Sequence, residues 1–361
     1  MGFSFFKEKQ DKVFLVLDIG TEAVKALIVK KDKSENIVLA ASIQYFERFG
    51  VFDSKDFDKD LIKKAILKSI ECLLQNFPAD FKNLPILLTL PPNIFKARVI
   101  SQLFERDNPE KRISELEKKN ICQQVLRTAK EKISKDFASN SGILPSEIHW
   151  ISLKILGIKI DGYSVSELSG YEGRNLDFKI LATFLPRYYL ENIKSIFRDL
   201  DIGVSQLIHI AENLSRLFRE KQTDAVFIDV GGEVSQIFLV KKSGLEEISD
   251  FAIGGRIFSQ VIAGKLGITE DSARILKERY SQKLLTPEAE KRIKEILLSE
   301  KINWQKSLRP EFLSLPVFLF GGGCLVPEIQ EALNCGSRGV KVLYSIEKLK
   351  SPQYIPSLLI I

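Results

Sequence analysis

An α/β fold, with two related domains facing each other across a cleft, is what this sequence predicts, and three observations predict it. Residues 225–242, AVFIDVGGEVSQIFLVKK, run from an apolar stretch through Asp229-Val230-Gly231-Gly232 into a second alternating stretch, which reads as strand, glycine turn, strand. Residues 14–31, FLVLDIGTEAVKALIVKK, repeat that grammar at a constant offset: Asp18 matches Asp229, Gly20 matches Gly231, Glu22 matches Glu233, and Lys30-Lys31 match Lys241-Lys242. A third glycine cluster, Phe320-Gly321-Gly322-Gly323, follows the apolar run LPVFLF and precedes Pro327.

A duplicated turn of this kind suits a phosphate chain held from both sides. Gly20 and Gly231 lack the side chains that would keep backbone amides away from an anion. Asp18 and Asp229 stand at the ends of their strands, where a carboxylate can reach a magnesium ion that keeps most of its waters. Taken singly, each Asp-x-Gly is as readily a hairpin turn. The repetition, with the third glycine cluster, favours the paired clamp.

These residues resemble the actin-like ATPase superfamily. Asp18-Ile19-Gly20-Thr21 with Lys25 looks like its first phosphate loop, Asp229-Val230-Gly231-Gly232 like its second, and Gly321, Gly322 and Gly323 like the loop under the nucleoside. The resemblance implies an actin-like, duplicated ribonuclease H-like fold of two domains that binds ATP and Mg2+. Ile253-Gly254-Gly255-Arg256 is similar to the family's glycine pair opening a helix, where amides and helix dipole favour phosphate oxygens. SARILKERY, residues 272–280, resembles the helix in which an acid and a lysine embrace ribose and adenine; Lys277 fits the lysine. Arg274 takes the acid's place, as a cation stacked on adenine or as a solvated side chain.

Composition narrows the classes. The 361 residues, 45% hydrophobic, suffice for two domains with their own cores. A net charge of +6 is spread without long like-charge runs, which argues against a nucleic-acid ligand. Cys72, Cys122, Cys324 and Cys335 show no CxxC spacing, and only His149 and His209 exist, so neither a disulfide framework nor a zinc site is expected, and a reducing cytoplasm fits. No stretch has the length of a membrane span. Residues 1–12, with three Phe among charges, are expected as a frayed tail that touches a membrane at most peripherally.

In chain order, strand pairs over 14–31 lead to a strand at 37–45 and an amphipathic helix at 60–74 carrying Leu61, Ala65, Ile66, Ile70, Leu73 and Leu74 on one face. Residues 84–182 read as a β-rich insertion: LPILLTL, Pro91-Pro92, FKARVISQLF, one helix over 114–137 broken by Ser139-Asn140-Ser141-Gly142, then HWISLKILGIKI and LDFKILATF around a loop from 161 to 175. Helices follow at 188–200, 204–218, 257–266, 272–280, 287–298 and 327–333, with a last strand at 340–344. The expected organisation is 1–83 with 183–222 as the first domain, 84–182 as the insertion, 223–266 with 311–361 as the second domain, and 267–310 as its small lobe.

The insertion narrows the resemblance. Asp161-Gly162-Tyr163, then Gly170-Tyr171-Glu172-Gly173-Arg174-Asn175-Leu176 before an apolar strand, resembles the middle subdomain of the bacterial cell-division protein FtsA; the pilus-assembly protein PilM shares the plan. The FtsA resemblance implies self-association into filaments and coupling of the tubulin-like division protein FtsZ to the cell envelope. The PilM resemblance implies a cytoplasmic adaptor that recognises the tail of a pilus or secretion membrane protein. The basic amphipathic helix with which FtsA proteins end is absent from these 361 residues, which puts autonomous membrane attachment in doubt.

Two departures set expectations for turnover. Glu233 and Val234 stand where FtsA proteins have glycine and threonine; a carboxylate about 4 Å from a phosphate charge costs on the order of 4 kcal/mol at an effective dielectric of about 20, so Glu233 is expected to point away. Gln236 occupies the place of a polar catalytic residue and, with Asp229, is the expected catalytic pair; its amide orients water but does not titrate near neutrality. His209, Glu212 and Asn213 are the candidates near the water-positioning place. ATP binding with slow or absent hydrolysis is the expectation. A sugar-kinase reading lacks a second carboxylate base in the cleft.

Overall fold

The computed structural model describes residues 12–31, 36–52, 57–77, 83–214, 224–242, 244–334, 339–343 and 351–361. Residues 1–11 of the tail expected over 1–12, and Cys335, lie outside them. The first domain opens with β1 (Lys12–Ile19), β2 (Ala23–Lys31), β3 (Asn36–Tyr45), α1 (Lys59–Asn76) and β4 (Ile86–Thr89). The insertion carries β5 (Lys96–Glu105), α2 (Glu115–Ser141), β6 (Ile148–Ile160), β7 (Tyr163–Val165) and β8 (Asn175–Pro186). The chain returns through α3 (Arg187–Asp199), β9 (Gln206–Leu207) and α4 (Ala211–Leu214). The second domain holds β10 (Ala225–Val230), β11 (Ser235–Lys241), β12 (Gly244–Phe251), α5 (Gly255–Leu266), α6 (Glu270–Ser281), α7 (Pro287–Lys306), β13 (Val317–Phe320), α8 (Pro327–Asn334), β14 (Val340–Val342) and α9 (Ile355–Leu359).

Two five-stranded sheets share one topology. Their orders are β3-β2-β1-β4-β9 and β12-β11-β10-β13-β14, each an antiparallel meander whose first strand pairs in parallel with the fourth. The central strands β1 and β10 are apolar on both faces because both faces are covered. Leu15, Leu17 and Ile19 face α1 and α3, while Val16 faces the other domain. A shared core of Val16, Leu27, Val29, Phe227, Phe238 and Phe320 joins the two domains, with Ala211 and Leu214 of α4 and Leu359 of α9 packed into it, and α5, α6, α7 and α8 cover the outer face of the second sheet. Helices α4 and α9 thus lie at the junction of the two domains, with α9 against β1 and β2.

Local chemistry explains the helix ends. Asp58 caps α1 by accepting from the Leu61 amide at 3.0 Å, and Ser114 caps α2 through the Glu117 amide at 3.2 Å. Helix α2 runs through Ser141, past the expected break at 139, because only Gly142 takes the left-handed conformation, φ 72°, that ends it.

Three expectations are corrected. The run Ile86–Thr89 was expected inside the insertion; it pairs in parallel with β1, so the inserted sheet begins at β5. The helix expected over 204–218 begins instead as β9, because Ser205 and Ile208 donate to Ile86 and Leu88 at 2.9 and 2.8 Å and complete the sheet; of its remainder only α4 is described, and 215–223 lie outside. Residues 267–310, expected as a small lobe of the second domain, set Ala273, Tyr280, Ile293, Leu297 and Trp304 into the same apolar core as Val226 and Phe258. The loop expected over 161–175 contains a short strand, β7, paired with β6.

The inserted sheet has the order β5-β8-β6-β7. Helix α2 covers one face, setting Ile121, Val125 and Ala129 against Phe178 and Ile180. The opposite face presents Ala97, Val99, Leu156 and Leu181 to the core shared between the domains. The glycine loop at 170–175 is held by Arg106, 3% exposed, whose guanidinium donates to Glu117 and to the carbonyls of Gly173 and Lys111. Among the described residues no helix is long and apolar enough to cross a membrane.

Candidate functional site

The duplicated turns meet. Gly20 donates its amide to Ala23 O at 2.9 Å and Gly231 to Val234 O at 3.0 Å, so the two hairpins close in the same way. A Cβ on Gly232 would lie 2.6 Å from Thr21 Oγ1 and 2.7 Å from Glu22 Cγ, so the second loop rests directly on the first. Between and below them lies a cavity of about 320 Å³ lined by Asp18, Gly20, Thr21, Lys25, Asp229, Gly231, Gly232, Gln236, Gly255, Lys277, Gly321, Gly322 and Gly323. All of these were candidates on sequence grounds.

The glycines serve packing as much as access. A Cβ on Gly321, φ 85°, would fall 2.2 Å from Asp229 Oδ1, and one on Gly323 would fall 2.6 Å from Val230 Cγ1. Gly254 stands where a Cβ would strike the carbonyls of Gly232 and Gly231 at 2.4 and 2.6 Å. Three backbone segments thus converge around Asp229 at distances no side chain permits.

This convergence corrects two expectations about anion donors. The amides of Gly20 and Gly231 are committed to their own turns. At the start of α5, the amides of Gly255 and Arg256 donate to Gly231 O and Gly232 O, both at 2.8 Å, so these two amides fasten the second loop although Gly255 lines the cavity. Gly254 accordingly stands behind the loop as a packing residue.

Within the cavity the pseudo-symmetry is broken by charge. Lys25 pairs across the hairpin with Asp18, its Nζ 2.9 Å from Oδ2; the corresponding partner of Asp229 is Gln236. Asp18 also accepts from Ser357 Oγ at 3.2 Å. Burial raises the Asp229 carboxyl to about 7, an effect that Lys25 partly offsets and Asp18 reinforces. Gln236 is fully buried and neither amide atom has a protein partner; the same holds for Thr21 Oγ1 and Glu22 Oε1. Orphaned buried polar atoms are costly, and here they converge on one cavity.

The nucleoside-side candidates divide. Lys277 is buried, donates to Gly255 O at 2.8 Å, and is lowered by burial. Arg274 does not line the cavity: its guanidinium lies 4.6 Å from the Tyr45 ring centroid and pairs with Asp271, so stacking occurs on the protein's own tyrosine. Glu233 ion-pairs with Arg256 at 2.9 Å and accepts from Asn93 at 3.3 Å, away from the cavity as expected.

Of the water-positioning candidates His209 lines the cavity while Glu212 and Asn213 do not, and all three are hydrogen-bonded within the protein. His209 accepts from the Ala211 amide at Nδ1 and is hydrogen-bonded to the Phe95 backbone; burial drives it down to about 3, so it stays neutral. Glu212 is tied to Lys154 and Thr183, and Asn213 donates to Leu359 O. Sequence reasoning missed Tyr45, Glu278, Ser281, Gln353 and Pro356 on the cavity wall. Glu278 directly follows Lys277, which was a usable signal; the wall formed by 351–356 had none.

No family model matches the chain, and no curated protein matches it. Solved structures do. A chain of the PilM-PilN type IV pilus biogenesis complex superposes with TM-score 0.66 at 15% identity, over 96% of this chain and 97% of that one. The ethanolamine utilization protein EutJ from Carboxydothermus hydrogenoformans gives 0.54 at 13%, over 96% and 88%. Diol dehydratase-reactivating factor gives 0.50 at 10%, over 97% and 99%. The fold is that of the actin-like ATPases. The three likenesses span nearly the whole chain, as the duplicated sheets do. They lend the FtsA resemblance no support of its own.

Proposed function

We propose that this chain is a PilM-like adaptor that binds Mg-ATP between its two duplicated loops and, through the state of that cleft, governs its grip on the tail of a membrane protein at the cytoplasmic face. The observation that carries the reading is the convergence of Thr21 Oγ1, Glu22 Oε1 and the Gln236 amide, buried and unpartnered, on the cavity between Asp18 and Asp229. A polar ligand there satisfies atoms the protein leaves unsatisfied.

The residues fit a magnesium nucleotide. The cavity wall carries the carboxyls of Asp18, Glu22, Asp229 and Glu278 against the ammonium groups of Lys25 and Lys277, so a polyphosphate enters with a divalent cation. Among the described residues no cluster of three or more carboxylate, histidine or cysteine ligands exists. That suits Mg2+, which keeps waters and phosphate oxygens and takes one or two carboxylates, here Asp18 and Asp229. The ion would supply charge neutralisation along the phosphates.

Hydrolysis is slow or absent on this reading. Gln236 can orient a water but cannot accept its proton, and His209 is neutral with its nitrogens engaged. Asp229 ionises near neutrality and is then drawn to the cation.

The division-scaffold reading, with filaments and FtsZ as partner, rests on the inserted glycine motif, which here is held by Arg106. The whole-chain likeness to the PilM-PilN complex favours the pilus or secretion adaptor. Calorimetric titration of Mg-ATP into wild type and Asp229→Ala tests the site: binding in wild type and loss of its magnesium dependence in the variant are expected, and no heat in wild type overturns it. Pull-down with cytoplasmic tails of candidate membrane proteins, against sedimentation of polymer with and without Mg-ATP, separates the adaptor from the scaffold.

A further inference from the structure

We propose that Asp250 latches the inserted subdomain to the second domain, and that this latch makes the position of the insertion follow the state of the cleft. The coupling half of this proposal rests on the ligand reading above; the latch itself does not.

Strand β5 of the insertion lies against β12 of the second domain. Asp250 on β12 receives Lys96 Nζ at Oδ2 and Arg98 Nη1 at Oδ1, both at 3.1 Å, and both cations stand on β5. Glu246, earlier on β12, pairs with Lys179 on β8. Side-chain exposures of 17% for Asp250 and 14% for Lys96 keep water from screening the central pair. Burial pushes the Asp250 carboxyl up, but Lys96 and Arg98 outweigh it and hold it below its ordinary range.

Asp250 is one step from the cavity wall and Lys96 is two. Asp250 is the cross-strand partner of Gln236, whose amide faces the cavity. Lys96 directly follows Phe95, whose ring stands edge-on to the His209 ring at 5.0 Å, and His209 lines the cavity. Asn93, three residues before Lys96, donates to Glu233 of the second loop, which is in turn held by Arg256. The base of the insertion is thus bonded to the second domain at the phosphate loop and at β12. A movement of the second domain as the cleft closes carries β12 with it and pulls on β5. A demonstrated response at β5, not the chain of contacts alone, establishes the coupling.

Hydrogen-deuterium exchange on the full chain, wild type and Asp250→Asn, decides both halves. Without nucleotide, the variant is expected to exchange roughly 10-fold faster along β5 and β12. Equal exchange in the two proteins overturns the latch whatever the nucleotide does. With Mg-ATP, wild type is expected to slow along β5 and α2 while Asp250→Asn does not, although its calorimetric affinity stays within about threefold. Equal slowing in both proteins overturns the coupling and leaves the site reading intact; absence of heat in wild type overturns the site reading and the coupling together. Should Asp250→Asn melt early, Lys96→Met removes the partner charge while keeping the apolar stem, and the same outcomes apply.

Discussion

Gly232 presses on Thr21 so closely that a single methyl group on it would come within 2.6 Å of the threonine hydroxyl. The contact joins two turns separated by more than two hundred residues, and it makes the crevice between them a property of both domains at once. Gly232→Ala is expected to wedge the loops apart, weakening Mg-ATP binding about 10- to 100-fold, the equivalent of about 1–3 kcal/mol of overpacking. Calorimetry reads the loss. Unchanged affinity would mean that the loops do not act together.

Asp229 carries a pH dependence of defined sign. Near pH 3 its carboxyl is protonated in folded and unfolded chains alike. Between its ordinary 3.8 and about 7 the unfolded chain has lost the proton and the folded chain retains it, so stability falls as pH rises through that window. Above about 7 the penalty levels off near 4 kcal/mol, to order of magnitude. Asp229→Asn is expected to remove this slope, leaving the ligand-free variant more stable than wild type at pH 8 while it loses magnesium-dependent affinity. Urea unfolding at pH 4 and pH 8 measures it; parallel pH profiles for the two proteins would refute it.

Gln236 bears on turnover. Because its amide cannot take a proton, Gln236→Ala is expected to lower any residual phosphate release by less than about 10-fold, whereas loss of a general base costs about 10²- to 10⁴-fold. Single-turnover phosphate release distinguishes the two. A thousandfold loss would make Gln236 essential to hydrolysis and contradict the slow-switch reading.

Trp304 ties the small lobe at 267–310 to the sheet of the second domain. It is fully buried, and its Nε1 donates to Ser235 Oγ at 3.2 Å, which in turn donates to Ile253 O at 2.6 Å. Trp304→Ala is expected to cost about 3–5 kcal/mol and to loosen β10 and β11 together with α7. Hydrogen exchange that rises in α7 alone would contradict this coupling of lobe and sheet.

Much of the fold was legible because its signals are local. Repeated apolar runs around Asp18 and Asp229 announced the twin hairpins, and the apolar period of residues 60–74 lies within α1. Strand β9 was not legible: its two residues pair only because β4 offers them an edge, and helical period in the neighbouring sequence outweighed that in a one-dimensional reading. The candidate site divides in the same way. The glycines were legible as positions where something approaches closely, but not what approaches: for Gly254 and Gly321 it is protein backbone and the Asp229 carboxyl.

By itself, then, the sequence determined a duplicated α/β frame with a β-rich insertion and the set of small and acidic residues at its two turns, because strand period and turn chemistry act between near neighbours. Only the tertiary structure decided which groups meet: Arg274 on Tyr45, the α5 amides on the second loop, Lys96 on Asp250, and Ser357 on Asp18 across 339 residues. Those encounters depend on how two sheets and an insertion pack through shared cores, and packing is a property of volumes and surfaces that no local pattern encodes.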